Sequence, residues 1–178
     1  MFRTALLFAL LSLPSWAVDC PCDPTKPETL EVRQCSLCAE VEKHAGNEPF
    51  FFVRDNSPRK PNRWLLLPRR HWDGVHEMAD MTPAERTALW TAAIQKSKEV
   101  WGPEWGVAYN GAEVRTQCHL HIHIGKLLKG VELDRNFIMV SKPSQIPAIR
   151  GEGLWVHPVG NRMHVHLHEQ RAEPVLMR

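Results

Sequence analysis

The chain has 178 residues, 43% of them hydrophobic, and this length predicts one domain large enough to bury a sizeable core. Its 22 basic and 20 acidic side chains give a formal net charge of +2. That near balance argues against a strongly basic nucleic-acid binder.

The first 17 residues have the features of a secretory signal. Arg3 provides a positive start, residues 5–13 form a nearly unbroken apolar run, and residues 15–17 (Ser-Trp-Ala) fit a small-x-small cleavage site. The run is shorter than the roughly 20 apolar residues of a membrane span. We therefore expect an exported, periplasmic or secreted protein, soluble or associated with a membrane only at its surface.

Export permits disulfides among the five cysteines. Cys118 alternates with apolar residues of its predicted strand, which predicts a buried free thiol. The other four allow three pairings, and we expect at least one of these to tie the Pro-rich arm of residues 18–48 to the domain. These four are Cys20, Cys22, Cys35 and Cys38.

The order of the predicted helices and strands indicates an α+β fold with an antiparallel sheet, because one long helix lies among short strands without βαβ alternation. A short helix is expected over 36–44. The long helix begins at the capping box of residues 82–85 and ends at Gly102-Pro103. Strands are predicted over 49–54, 63–68, 105–110, 117–124 and 136–141. This gives a signal (1–17), an arm (18–48), a catalytic domain (49–141) and a C-terminal extension (142–178).

The extension is expected to form a β-hairpin with an alternating histidine row of its own, His164, His166 and His168. A second catalytic triad is disfavoured, because no Asn-Gly…Gln run precedes this row. We interpret the row as the polar face of the hairpin.

Residues 117–124 read Gln-Cys-His-Leu-His-Ile-His-Ile. Residues two apart in a strand share a face, so the three histidines would line one side about 6.5–7 Å apart while the apolar residues enter a core. A neutral imidazole is both a metal ligand and a nucleophile. The row therefore predicts metal binding or phosphorus chemistry, and the plain alternative is a solvated polar face.

This His-x-His-x-His string resembles the signature of the histidine triad (HIT) superfamily of nucleotide hydrolases and transferases. Asn110-Gly111 and the apolar, Pro, basic, His run of residues 64–71 fit the superfamily too. Residues 115–124 and 38–41 are most similar to the CDP-diacylglycerol pyrophosphatase branch. The resemblance covers residues 35–125 and implies a HIT-like sheet of about five strands with one long helix and a short N-terminal helix.

The resemblance also implies an exported phosphoanhydride hydrolase that cleaves CDP-diacylglycerol to CMP and phosphatidate. The middle histidine, His121, would attack phosphorus to form a phospho-histidine that water then releases. His119 and His123 would donate hydrogen bonds to phosphate oxygens or the leaving group. Asn110, Gln117 and Arg63 are assigned to substrate binding, although Arg63 stands where many triad enzymes carry a histidine and could not transfer a proton.

No cofactor is required, but some superfamily members hold a structural zinc at the positions of Cys35, Cys38, His71 and His119. We favour disulfides because the compartment is oxidising and two further cysteines lie nearby. The expected partner is a nucleotide or nucleotide-lipid substrate, with membrane-surface contact and a homodimer both possible. Two alternatives stay open: a HIT-type enzyme for a soluble nucleotide, and a metal-binding protein that uses the histidine rows as ligands.

Overall fold

The computed structural model describes residues 18–55, 57–70, 74–131 and 136–177. The predicted signal (1–17) and the alternative zinc ligand His71 lie outside the described residues.

Seven strands form one antiparallel sheet in the order β1-β2-β4-β3-β6-β7-β5. The predicted α+β class is confirmed, but the sheet is larger than about five strands. The predicted hairpin continues the sheet, because its first strand pairs with β3 and its second pairs with β5. The strands are β1 Phe50–Arg54, β2 Trp64–Pro68, β3 Trp105–Tyr109, β4 Ile122–Lys126, β5 Phe137–Val140, β6 Leu154–Val159 and β7 Arg162–His166.

The long helix α3 (Pro83–Trp101) covers one face of the sheet, and α1 (Pro27–Leu30) and α2 (Ser36–Lys43) belong to the arm. As predicted, the Thr82 and Glu85 side chains form a capping box at the start of α3. Gly102 follows its last residue with a φ of 55°, a conformation that favours glycine. The buried face of α3, which includes Leu89 and Ile94, packs against apolar side chains of the central strands.

The triad segment is only partly a strand. Leu120, Ile122 and Ile124 enter the core beneath α3, as their alternation predicts. Residues 118–119, however, form a bend, and β4 begins at Ile122. The strand is shorter than predicted because the chain turns at Cys118 toward the N-terminal arm.

The sheet face opposite α3 carries a cross-strand row of residues that is central to the site. His123 pairs with Ala108, Ala108 with Trp155, and Trp155 with His166. The C-terminal residues 172–176 pack over Ala108 and Trp155 in the middle of this row. The two histidine groups of the sequence therefore lie on the same face, one on each side of the C-terminal segment.

Disulfides join Cys20 to Cys118 and Cys22 to Cys35, and Cys38 is a buried free thiol. A disulfide among the four N-terminal cysteines is present, Cys22–Cys35, but it lies within the arm and does not tie the arm to the domain. That link is made by Cys118, so the prediction of a free Cys118 is wrong. Cys118 lies at the bend and not in the strand, so alternation does not set its direction. Disulfides are typical of an oxidising compartment, which agrees with export. In the described part of the chain, no helix is both long and apolar enough to cross a membrane.

Candidate functional site

A cavity of about 390 Å³ opens on the sheet face opposite α3. It lies between α2, which packs against Leu65 and Leu67 of β2, and the C-terminal segment. Most of its lining side chains are polar or charged, which suits a phosphorylated ligand. The lining residues are Arg33, Ser36, Leu37, Asp55, Ser57, Lys60, Leu65, Asn110, Val114, Arg115, Thr116, Gln117, His121, His123 and Glu173.

His121 has a defined tautomer and a neutral ring. Its Nδ1 lies 2.8 Å from the carbonyl oxygen of His119, and a carbonyl only accepts, so Nδ1 carries the hydrogen. Nε2 is then the unprotonated nitrogen with a lone pair. Burial lowers the pKa of His121 from its usual value of 6.5, so the ring is neutral at neutral pH. Tautomer and charge are both those that attack on phosphorus requires.

His123 contacts a carboxylate that the sequence analysis did not identify. Its Nε2 lies 3.1 Å from Glu173 Oε2, and a carboxylate can only accept, so His123 donates Nε2–H to Glu173. Burial holds the pKa of His123 well below 6.5, so the ring donates this hydrogen while neutral. The Asn110 amide nitrogen is farther from the same Nε2, at 3.4 Å, and is a packing neighbour.

Asn110 positions Glu173. Its Oδ1 accepts the Glu173 backbone N–H at 3.0 Å. This bond fixes the orientation of the amide and anchors the 3₁₀ helix Glu173–Val175 beside β3. Asn110, which was predicted to contact substrate, therefore lies at the cavity wall. Its amide oxygen binds the C-terminal segment.

Three cations line the cavity, Arg33, Lys60 and Arg115. Lys60 Nζ lies 2.7 and 2.9 Å from the two Glu173 carboxylate oxygens. Arg115 donates to the His76 carbonyl at 2.7 Å and is mostly buried. Lys60 is thus paired with Glu173, and Arg115 Nη2 lies 3.5 Å from Glu77 Oε1, so carboxylates partly balance the positive charge of the cavity.

Gln117 joins the arm to the triad segment. Its Oε1 accepts from the Ser36 hydroxyl at 2.9 Å and from the Leu37 N–H at 3.3 Å, and its Nε2 donates to the Arg33 carbonyl. Cys118, the next residue, is held by its disulfide to Cys20. Gln117, which was predicted to bind phosphate, thus lines the cavity. Its amide binds residues of the arm and holds the arm in place as one wall of the cavity.

Arg63 was predicted to bind phosphate, and the structure gives it a different position. It is 1% exposed, and its guanidinium donates to the Met177 carbonyl at 2.9 Å, the Glu173 carbonyl at 2.9 Å and the Leu176 carbonyl at 2.6 Å. These hydrogen bonds from Arg63 hold the C-terminal segment against the start of β2. An arginine before a strand gives no sign in the sequence that its partners are main-chain carbonyls near the end of the chain.

His119 lies away from the cavity. It is 1% exposed, and its Nε2–H donates to the Pro68 carbonyl at 2.8 Å. Among the alternative zinc ligands that the structure describes, Cys35 is disulfide-bonded to Cys22 and so is not available to a metal. Burial raises the pKa of the Cys38 thiol to about 11, which keeps it protonated and a poor metal ligand.

No family model and no curated protein matches the chain. Among solved structures, it is similar to a DUF4931 family protein from Bacillus cereus, at 9% identity and a TM-score of 0.51, over 70% of this chain and 84% of that one. Identity this low shows a shared fold alone.

Proposed function

We propose that the chain is an exported phosphoanhydride hydrolase of the histidine-triad type. The observation that carries the proposal is the state of His121: Nδ1–H is bound to a backbone carbonyl, the ring is neutral, and Nε2 belongs to a residue that lines a polar cavity with three cations in its wall. The resemblance of residues 115–124 to the HIT superfamily supports the same assignment.

The reaction proceeds in two displacements at one phosphorus atom. His121 Nε2 forms a bond to phosphorus, the bridging P–O bond breaks, and the leaving phosphate takes the electron pair. Water then attacks the same phosphorus and gives its proton to a phosphate oxygen, the N–P bond breaks with its electron pair returning to Nε2, and His121 regains its neutral ring. Lys60 and Arg115 stabilise the charge on the phosphate oxygens in both steps.

His123 is the proposed hydrogen-bond donor to the leaving oxygen. Its Nε2–H points to Glu173. A ligand phosphate that enters beside it offers a second acceptor, and the neutral imidazole keeps its hydrogen, so the leaving phosphate departs as an anion stabilised by this hydrogen bond. Glu173 acts here through His123 and is a positioning residue.

CDP-diacylglycerol is the first candidate substrate because the motif resembles that branch. The polar lining of the cavity favours a second candidate, a soluble nucleotide diphosphate, since polar walls are poor contacts for acyl chains. An apolar groove of about 520 Å³ does exist, lined by Pro49, Phe50, Met81 and Ala84 among others. It borders α3, away from the cavity's lining residues. We propose the periplasm or the extracellular space as the site of action.

The test is a rapid-quench experiment with CDP-diacylglycerol in detergent and, separately, with CDP-choline. Intact-mass and peptide analysis should find a phosphorus-linked adduct on His121 during turnover of at least one substrate. Turnover without an adduct, or an adduct on another residue, would contradict the mechanism. The ratio of kcat/KM for the two substrates decides between lipid and soluble nucleotide.

A further inference from the structure

A second histidine cluster lies on the same sheet face as the cavity but apart from it. His157 and His164 are directly paired between β6 and β7, and His166 lies two residues after His164 on the same face. All three side chains are buried. Trp155, covered by residues 172–176, stands between this cluster and His123. The proposed hydrolase mechanism makes no use of these three residues.

The nitrogen positions fit a shared ion. His157 Nε2 and His166 Nε2 lie 3.2 Å apart. Two imidazole nitrogens at the Zn–N length of about 2.0–2.1 Å in a tetrahedral site are about 3.3 Å apart. One nitrogen from each of the three rings lies within 4.8 Å of the other two. Small side-chain rotations would bring all three to one point.

Aromatic neighbours hold two of the rings in place. His166 stacks on Trp155 with ring centroids 3.6 Å apart, and His164 stacks on Phe137 at 4.0 Å. Such contacts limit rotamer freedom, so less entropy is lost when an ion binds.

We propose that His157, His164 and His166 form a binding site for a divalent transition-metal ion of the zinc class. Three neutral imidazoles suit Zn²⁺ and its neighbours, and leave a fourth position for water. In the metal-free protein, the 3.2 Å contact is an N–H···N hydrogen bond, with one Nε2 protonated. Coordination by both Nε2 atoms moves that hydrogen to Nδ1 of the same ring. The proposal of this metal site does not depend on the proposed hydrolase function.

The test is a zinc titration of the disulfide-bonded mature chain after removal of metal with EDTA. We expect one equivalent to bind against a competitor of about micromolar affinity. His157→Phe and His164→Phe keep an aromatic ring and should weaken binding by at least about 100-fold, more than the loss of an outer-shell partner. His168→Phe is the matched control: His168 follows β7 closely, is exposed and lies outside the cluster. It should bind zinc like the unmodified chain.

Two further measurements keep the proposal open to refutation if the phenylalanine variants fail to fold. Co²⁺ in the unmodified chain should give the visible bands of a low-coordinate nitrogen site. Absence of those bands, or a sulfur-to-cobalt charge-transfer band, would overturn the assignment. Zinc binding that is lost in His121→Asn but kept in His157→Phe would also overturn it, because the ion would then belong to the cavity.

Discussion

Glu173 and His123 meet at 3.1 Å from distant parts of the chain, and two other residues hold them together. Asn110 accepts the Glu173 N–H, and Arg63 donates to the Glu173 carbonyl. These two bonds fix the Glu173 backbone, and Lys60 Nζ holds the carboxylate itself through contacts of 2.7 and 2.9 Å. A carboxylate held in this way fixes the direction of the His123 hydrogen.

Replacing Glu173 by Gln should lower kcat by about 100-fold, in the range for the loss of one positioned hydrogen-bond donor to developing charge. The amide is nearly isosteric but uncharged and carries an NH₂ group, so it accepts the Nε2–H of His123 more weakly and orients the ring less well. Steady-state kinetics with the better substrate provide the measurement. Glu152→Gln, which changes a carboxylate that contacts His168, is the control and should have unchanged kcat. Equal activity of both variants would remove Glu173 from the mechanism.

His121→Asn should abolish turnover, with a loss of at least about 10³-fold, because the nucleophile is removed. Circular dichroism should show an intact fold, since the ring lies at the cavity edge of the sheet. Wild-type hydrolysis by this variant would mean that another group attacks phosphorus.

Activity should fall on the acid side with an apparent pKa below 6.5, because burial lowers the pKa of His121 and His123. The same shifts affect stability. Unfolded histidines bind protons from about pH 6.5 downward while the folded rings stay neutral. Their contribution is present above pH 6.5 and is lost as pH falls toward the folded pKa values. Profiles of kcat/KM and urea midpoints from pH 5 to 8 measure both effects. An acid limb above pH 6.5 would contradict the assignment.

Thiol counting under denaturing conditions should find one free cysteine, and peptide mapping should identify it as Cys38. Cys118→Ser should lower the free energy of unfolding by about 2–5 kcal/mol, the usual effect of losing a native disulfide. Cys38→Ser is the comparison, because it leaves both disulfides intact. Five reactive thiols would refute the pairing.

Chelation with EDTA should leave phosphoanhydride hydrolysis largely unchanged, because the nucleophile and the charge-stabilising groups are side chains of this protein. If zinc occupies the second histidine cluster, chelation should lower the melting temperature without lowering kcat. Activity that disappears with EDTA and returns with zinc would instead indicate metal-assisted hydrolysis.

Local patterns in the sequence predict the elements well, and contacts between distant segments poorly. The capping box at Thr82 and the stop at Gly102 define α3, since both signals act within one helical turn. Alternation assigns Ile122 and His123 to opposite faces but does not say which strand lies beside them. The pairing of Trp155 with Ala108, which brings the two histidine groups onto one face, depends on strand order.

Contacts between distant segments also explain why some site residues were missed or misassigned from the sequence. Glu173 precedes a proline in a polar tail and has no motif around it. Arg63 and Cys118 were assigned from their neighbours in sequence, whereas their positions are set by the C-terminal segment and the arm. Only the folded chain brings these segments together.

The Cys20–Cys118 bond has a consequence for when the protein could become active. Arg33, Ser36 and Leu37 form one wall of the cavity, and this bond ties the arm that carries them to the triad segment. In a reducing cytoplasm the bond does not persist, so the wall would be held only by weaker contacts such as those of Gln117. If the proposed function holds, we expect the newly made chain to be a poor hydrolase until this bond forms in an oxidising compartment.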